Sequence, residues 1–232
     1  MHNHDVYHRL KAAILNLEFR SGDILQEKQI GDLYGASRTP AREALRTLMS
    51  EGLVAKVGKF YFVKSFTRSE VMELYEVREA LEALSVRLAT RRATDAELFA
   101  LRDHMAAHIA AVRKAAPDTR TTDGSVFHLR LAELSGNSML IGQLRNLHDK
   151  VIFLSHMVDT RHRDEFVSSL DDHVRIVEAM IRRNETIAVA EIEAHLRWGA
   201  GMALEYLEAT GRSAAPMVGR EPEMDDTELA AD

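Results

Sequence analysis

The chain of 232 residues contains no cysteine, which excludes disulfide bonds, thiolate metal ligands and cysteine nucleophiles. Any metal site must therefore be built from histidine and carboxylate side chains. No apolar run approaches the roughly 20 residues that a membrane-spanning helix needs. The first residues also lack the apolar segment of a secretory signal. We therefore expect a cytoplasmic protein with no membrane partner.

The formal net charge of −6 argues against nucleic-acid binding until it is divided along the chain. Residues 1–66 carry ten Lys and Arg against seven Asp and Glu, a charge of +3, whereas the remainder carries −9. A mildly basic first segment on an acidic body indicates a local surface for nucleic acid. A chance asymmetry would produce the same numbers, so charge alone does not decide between the two.

The order of elements predicted in residues 1–66 is that of a winged helix-turn-helix. Apolar spacing and turn residues predict helices over 5–19, 27–35 and 37–52, then strands over 53–57 and 60–64. Gly35 permits the tight turn between the second and third helices. Ser37 can cap the third helix, and Pro40 lies in its first turn, where a missing N–H costs little.

From residue 67 onwards the pattern becomes entirely helical. Thr67 with Glu70 and Thr94 with Glu97 have the spacing of capping boxes, which begin helices. Six helices are predicted over 67–92, 94–114, 124–134, 138–158, 164–183 and 186–207. The fold class is therefore mainly α, with a winged helix-turn-helix followed by an all-α bundle that has its own core.

Three segments follow from this order of elements. Residues 1–66 form the predicted DNA-binding domain, and residues 67–210 form an effector-binding and dimerisation domain. Residues 211–232 are rich in Pro, Gly and acidic residues, a composition that predicts a disordered acidic tail.

The third predicted helix begins with a cation and repeats it every four residues, at Arg38, Arg42 and Arg46. Such a helix can lie in the DNA major groove, where an arginine on guanine discriminates by about 1–3 kcal/mol against a wrong base. The alternative is a solvated face in which Glu43 and Glu51 are ion partners. The preceding glycine turn and the following strands favour DNA contact.

Other residues around this helix suit the phosphate backbone. Ser37 and Thr39 can donate to phosphate oxygens near a helix N-terminus. Gly58, between the two strands, permits close approach of a wing to the minor groove. One such domain makes few phosphate contacts, so we expect a homodimer that reads a pseudo-palindromic site on double-stranded DNA.

Three histidines, His128, His173 and His195, are predicted to point into the bundle from three different helices. Neutral imidazole nitrogens bind divalent metals. Taken singly, each is more often a hydrogen-bonded core residue, but the trio favours a metal site. Three histidines around a metal with an open position are also the layout of a hydrolytic zinc site. A metal-dependent hydrolase therefore stays an alternative, although no motif supplies a general base.

Four segments carry a resemblance to the GntR family of bacterial transcription regulators. They are SRTPAREALRTLMSEGLV at 37–54, LYEVREALEALSVRLAT at 74–90, FHLRLAELSGN at 127–137 and DDHVRIVEAMIRRNETIAVAEIEAHL at 171–196. The last three resemble the ligand-sensing domain of the FadR branch, and six helices resemble its VanR subgroup. The resemblance implies a regulator, a repressor by preference, that senses a small organic acid.

The resemblance also implies roles for individual residues. It places DNA contacts at Lys28, Ser37, Arg38, Arg42 and Arg46, with Gly58 and Lys59 at the wing tip. Arg78 would hold the carboxylate of an effector, or else form a surface ion pair with Glu82. His148 is identified from spacing alone, since it shares a helix face with Leu144 and Val151, and it would line the effector pocket or else fill core.

Many members of the FadR branch hold zinc, nickel or a similar ion with one Asp and three His. The family motif D-x-x-x-H ends here at His128 and would place its Asp at Gly124. The nearest acid is Asp123, one residue too early, so Asp123 is a doubtful fourth ligand and water or effector could replace it. A regulator with a metal-free pocket, as in the acyl-CoA-binding members, is a further alternative.

Overall fold

A computed structural model of the chain describes residues 3–114, 123–159 and 163–210, without the side chains of 3, 4, 123–125, 159, 163 and 166. The predicted tail, 211–232, lies outside these residues. The elements are α1 (Asn3–Leu15), β1 (Ile24–Leu25), α2 (Glu27–Tyr34), α3 (Arg38–Ser50), β2 (Val54–Val57), β3 (Phe60–Val63), α4 (Arg68–Arg92), α5 (Asp95–Lys114), α6 (Asp123–Leu134), α7 (Ser138–Asp159), α8 (Arg163–Ile181) and α9 (Glu185–Thr210). The predicted fold class is confirmed; the boundary at residues 66 and 67 stays a prediction.

Helices α1, α2 and α3 and the three strands form the winged helix. Helix α3 buries Ala41, Ala44, Leu45 and Leu48 on one face, as the spacing predicts. Gly35 ends α2 with a left-handed φ of 66°, so α3 can begin at Arg38 after a tight turn. The antiparallel sheet has the order β1-β3-β2, and β1 was not predicted because two residues are too short to show a period.

Helix α1 ends four residues earlier than predicted, at Leu15 rather than Phe19. Leu17 has a φ of 60°, and the N–H groups of Glu18 and Leu17 donate to the carbonyls of Ala13 and Ile14 at 2.9 and 3.0 Å. This pair of bonds is a Schellman motif, whose left-handed position is usually glycine. Because leucine occupies it here and extends the apolar stripe, the sequence predicted a longer helix.

Helices α4 to α9 form the bundle of six helices. Thr67 and Glu70 make the predicted capping box at the start of α4. Asn137 accepts a hydrogen bond from the N–H of Leu140 at 3.2 Å and so caps α7. One core cluster, which includes Phe127, lies wholly within the bundle. No helix in the described ranges is long and apolar enough to cross a membrane.

A second core cluster is shared between the winged helix and the bundle. Leu10 and Ile14 of α1 and Leu45 of α3 belong to the same buried cluster as Phe153 of α7 and Leu207 of α9. Helix α7 therefore packs against the winged helix along part of its length and against the bundle along the rest. This position links the two sites described next.

Candidate DNA surface and candidate metal centre

The cations of α3 lie on the face opposite the buried one. Arg38 and Arg46 are exposed, as is Lys28 on α2. Arg42 is half-buried, with Nε 3.5 Å from Oε1 of Glu27. Among the residues that the structure describes, Lys28, Arg38 and Arg46 take part in no ion pair. Three of these four cations are thus available to a negatively charged partner.

The remaining predicted DNA contacts border this face. Ser37 occupies the N-cap position of α3 as predicted, but its side chain makes no capping hydrogen bond. Thr39 follows it on the exposed side. Gly58 has a left-handed φ of 57° at the tip of the wing, beside exposed Lys59. Glu51, which could have neutralised the arginines, is bound by Lys11 instead, at 3.0 Å.

The three predicted histidines converge in the interior of the bundle. His128 of α6, His173 of α8 and His195 of α9 are buried, and one ring nitrogen of each lies within 4.8 Å of the others. The Nε2 atoms of His173 and His195 are 3.2 Å apart. Two nitrogens at about 2.0–2.1 Å from one tetrahedral ion would be about 3.3 Å apart. The spacing therefore fits two ligands of a single ion.

Carboxylates support two of the three rings. His128 Nδ1 is 2.5 Å from Oε2 of Glu82, and His195 Nδ1 is 3.1 Å from Oδ2 of Asp172. A carboxylate on one ring nitrogen fixes the tautomer and leaves the other nitrogen free as a ligand. His173 has no such support, because its buried Nδ1 has no hydrogen-bond partner among the residues that the structure describes. Buried polar atoms without partners are rare and often mark an ion or a water molecule.

Burial and nearby charges keep His128 and His173 neutral and Glu82 ionised. Burial, reinforced by the charge of Arg78, lowers the pKa of His128 to about 4 against the opposing effect of Glu82. Burial also lowers the pKa of His173 well below its usual range. Burial favours protonation of Glu82, but Arg78 and His128 outweigh it and lower the pKa of Glu82 to about 2. Neutral His128 therefore donates its Nδ1–H to Glu82.

Arg78 forms the predicted ion pair with Glu82 and also lines a cavity. Its Nε donates to Oε1 of Glu82 at 2.6 Å, so the predicted ion pair exists, but Arg78 is only 5% exposed and the expectation of a surface pair is wrong. Arg78, Glu82 and His128 line one narrow cavity, and half-buried His148 of α7 lines its other side. Both predicted effector-binding residues thus face the same cavity as one of the three histidines.

Two supporting residues were missed by the sequence analysis. Glu82 was considered only as a surface partner of Arg78, although its spacing of four residues was the available signal. Asp172 precedes His173 on α8 but contacts His195 of α9, a tertiary contact for which the sequence holds no signal. The doubtful ligand Asp123 is the first residue of α6, and its side chain lies outside the described part of the chain.

Two family profiles match the chain. The profile described as "Bacterial regulatory proteins, gntR family" matches residues 3–59, which include α3 and its cations. The profile described as "FCD domain" matches residues 73–197, which include the cavity and the three histidines.

Known proteins resemble the chain over most of its length. The "Nta operon transcriptional regulator" of Aminobacter aminovorans is 32% identical over 184 residues, which cover 79% of this chain and 85% of that protein. The "Uncharacterized HTH-type transcriptional regulator YdhC" of Bacillus subtilis is 32% identical over 194 residues, covering 82% and 85%. The structure of E. coli McbR/YncC has the same fold, with a TM-score of 0.74 at 18% identity, covering 88% of this chain and 98% of that one.

The buried pair of Arg78 and Glu82 yields a stability prediction. Glu82→Ala leaves the guanidinium of Arg78 buried without its counter-ion, so the free energy of unfolding should fall by about 3–5 kcal/mol. Denaturation in urea, followed by circular dichroism, measures this change. Arg113→Ala is the control because it removes an ion pair, with Asp171, in which both side chains are more than 40% exposed. If both substitutions lower the free energy of unfolding by the same small amount, Glu82 is not what stabilises the buried guanidinium of Arg78.

Proposed function

Because the chain belongs to the GntR family of transcription regulators and carries an FCD domain, we propose that it represses transcription from an operator and is released by a small carboxylate. Its relatives are transcription regulators, so the hydrolase alternative is wrong. A bound protein blocks RNA polymerase by excluded volume alone, which favours repression over activation. A cytoplasmic location is part of this proposal.

The exposed cations of α3 carry the DNA-binding part of the proposal. An α-helix fits the major groove, and the N-terminal residues of a recognition helix reach the base edges. Arg38 occupies the first turn of α3 and has no ion pair among the described residues. Arg42 lies one turn later and only weakly engages Glu27, at 3.5 Å. Both guanidinium groups can therefore turn to DNA without breaking a strong contact.

Arg38→Ala and Arg42→Ala should each weaken operator binding by about tenfold or more, since a lost base contact costs about 1–3 kcal/mol. The operator is first selected from random duplexes with the wild-type protein, and affinity is then measured by fluorescence anisotropy at fixed salt. Arg130→Ala, which removes an exposed cation of α6, is the control and should leave affinity unchanged. Wild-type affinity in a folded Arg42→Ala protein would exclude Arg42 from the DNA contact.

An apolar stripe on α4 supports a homodimer. Val77, Leu81, Leu84 and Leu88 are spaced so that they share one face of the helix. Val77 is 51% exposed and Leu84 is 36% exposed, and the other two are partly buried. Contiguous exposed apolar residues mark interaction surfaces. A second copy of the chain is the partner that a pseudo-palindromic operator requires.

The double substitution Val77→Glu and Leu84→Glu should convert the dimer into a monomer, because burying two unpaired carboxylates in an apolar interface is unfavourable. Light scattering coupled to gel filtration should give twice the chain mass of 26.1 kDa for the wild type and that mass once for the variant. Phe99→Glu is the control, since Phe99 is 41% exposed on α5, a different helix from the stripe. A variant that remains dimeric would rule out this face of α4.

The histidine trio and the cavity beside it support the sensing part of the proposal. His128, His173 and His195 would hold a divalent ion, zinc or nickel, through neutral nitrogens. When bound, such an ion supplies positive charge and open coordination positions that suit carboxylate oxygens. Glu82 holds the ring of His128, and Asp172 holds that of His195, so these two rings have a fixed orientation.

Arg78 and His148 would bind the effector in the cavity, which has room for about one water molecule and must widen to admit it. Only Nε of Arg78 donates to Glu82, and a guanidinium has five N–H donors, so Arg78 retains donors for a second carboxylate. Burial lowers the pKa of His148, which keeps this side chain neutral and able to donate or accept a hydrogen bond. An acid that binds the DNA-incompetent arrangement more tightly shifts the population away from the operator.

His173→Ala should abolish metal retention, because His173 supplies one of three ligands and its Nε2 lies nearest to that of His195. Protein made without a polyhistidine tag is loaded with Zn²⁺, dialysed and analysed by mass spectrometry for one ion per chain. His104→Ala, at an exposed position on α5, is the control and should retain the ion. If the wild-type protein holds no ion, the alternative of a metal-free acyl-binding pocket is favoured instead.

A further inference from the structure

A cluster of four polar side chains joins the bundle to the winged helix. The Lys11 ammonium lies 3.0 Å from the Tyr7 hydroxyl, 3.0 Å from Oε2 of Glu51 and 2.6 Å from Oδ2 of Asp149. The Tyr7 hydroxyl donates to Oε1 of Glu51 at 2.5 Å. An ammonium has three N–H donors, so all the donors of Lys11 have partners. We call these four residues the Lys11 cluster.

The members of the Lys11 cluster come from three elements with different tasks. Tyr7 and Lys11 belong to α1, and Glu51 is the C-cap of the recognition helix α3. Asp149 belongs to α7 and follows His148, which lines the cavity. His148, which lines the cavity, and Asp149, which binds the winged helix, are therefore consecutive residues of α7.

We propose that the Lys11 cluster transmits the state of the cavity to the recognition helix, with α7 as the connecting element. This inference rests on the proposed function, because it requires the cavity to bind an effector and α3 to bind DNA. It adds the residues through which effector binding in the cavity changes DNA binding by α3.

Helix α7 is placed to act in this way. Leu144, His148 and Val151 face the cavity, and Val151 also belongs to the core that α7 shares with α1 and α3. Further along α7, Nδ1 of His156 lies 2.6 Å from the carbonyl oxygen of Leu15 at the end of α1. Because a helix moves as a rigid element, a shift of its cavity-facing turn also shifts its contacts to the winged helix.

The end of α3 is close enough to α7 to follow such a shift. A Cβ atom placed on Gly52, one residue after Glu51, would lie 2.6 Å from Cε of Lys150 on α7. Glu51 is thus linked to Asp149 of α7 through the shared Lys11, and Gly52 lies beside the side chain of the next residue, Lys150. The recognition helix therefore ends beside side chains that α7 carries or binds, Lys150 and Lys11, so a shift of α7 can reach it.

The contact of Lys11 with Asp149 can be weakened by mutation without removing its contact with Glu51. Burial opposes the charge of Lys11, but hydrogen bonds to Asp149, Tyr7 and Glu51 outweigh it and raise the pKa of Lys11, so it stays charged. Lys11 and Glu51 would still pair within the winged helix if Asp149 were neutral. Asp149→Asn therefore weakens the connection to α7 and keeps the contacts inside the winged helix.

The first experiment needs no effector and compares amide hydrogen exchange in the wild type and in Asp149→Asn. Exchange in α1 and in residues 38–50 should become about tenfold faster, since a charge-assisted hydrogen bond is lost, whereas exchange in α8 and α9 should not change. Asp103→Asn is the control because it neutralises an exposed aspartate on α5 that pairs with Arg102. Equal exchange of residues 38–50 in Asp149→Asn and Asp103→Asn overturns the proposal.

The second experiment adds Zn²⁺ to the same proteins after removal of metal. In the wild type, exchange should slow around the three histidines and change in residues 38–50. In Asp149→Asn, exchange should still slow around the histidines, but exchange in residues 38–50 should no longer respond to Zn²⁺. If residues 38–50 respond to Zn²⁺ in Asp149→Asn as they do in the wild type, the Lys11 cluster is not the connection.

The two experiments separate this inference from the function on which it rests. If Zn²⁺ changes nothing around the histidines of the wild type, the proposed metal centre is wrong, and the first experiment alone then decides whether the Lys11 cluster couples α7 to α3. If Zn²⁺ slows exchange around the histidines but Asp149→Asn does not change exchange in residues 38–50, the metal centre stands and the coupling is wrong.

Discussion

A buried carboxylate is the constraint on which the interior of the bundle depends. Glu82 is 1% exposed and remains ionised, a state that a protein interior tolerates only when charged or hydrogen-bonding partners surround the group. Arg78 supplies the charge and His128 supplies a second donor. Both partners are thereby held in place, Arg78 towards the cavity and the free nitrogen of His128 towards the other two histidines. One acidic side chain thus orients groups on both sides of it.

The sequence predicted the elements whose signals are local. Periodic apolar residues and capping boxes located the helices of the bundle to within a few residues, and the glycine at position 35 located the turn before α3. Where a local signal was absent, the prediction was wrong or missing. Leu17 ends α1 in a conformation that normally indicates glycine, and β1 is defined only by its pairing with β3.

The candidate site shows the same division. The inward direction of His128, His173 and His195 followed from the apolar faces of their helices, and the structure brings the three rings together. Their support by Glu82 and Asp172 could not be predicted, because each of these contacts joins two different helices and no local pattern indicates it. The sequence also predicted a separate core for the bundle, whereas part of the interior is common to the bundle and the winged helix.

The shared core and the Lys11 cluster differ in how easily they change. A buried leucine stabilises by about 1.5–3 kcal/mol, and several of them join α7 to the winged helix, so ligand binding cannot separate these surfaces. Allosteric coupling is typically about 1–3 kcal/mol, and one hydrogen bond to a charged group contributes about 1.5–3 kcal/mol. The apolar contact can therefore serve as a fixed pivot, while the contact of Asp149 with Lys11 has the magnitude that an effector can shift. Since coupling is reciprocal, operator binding would then change effector affinity by the same factor.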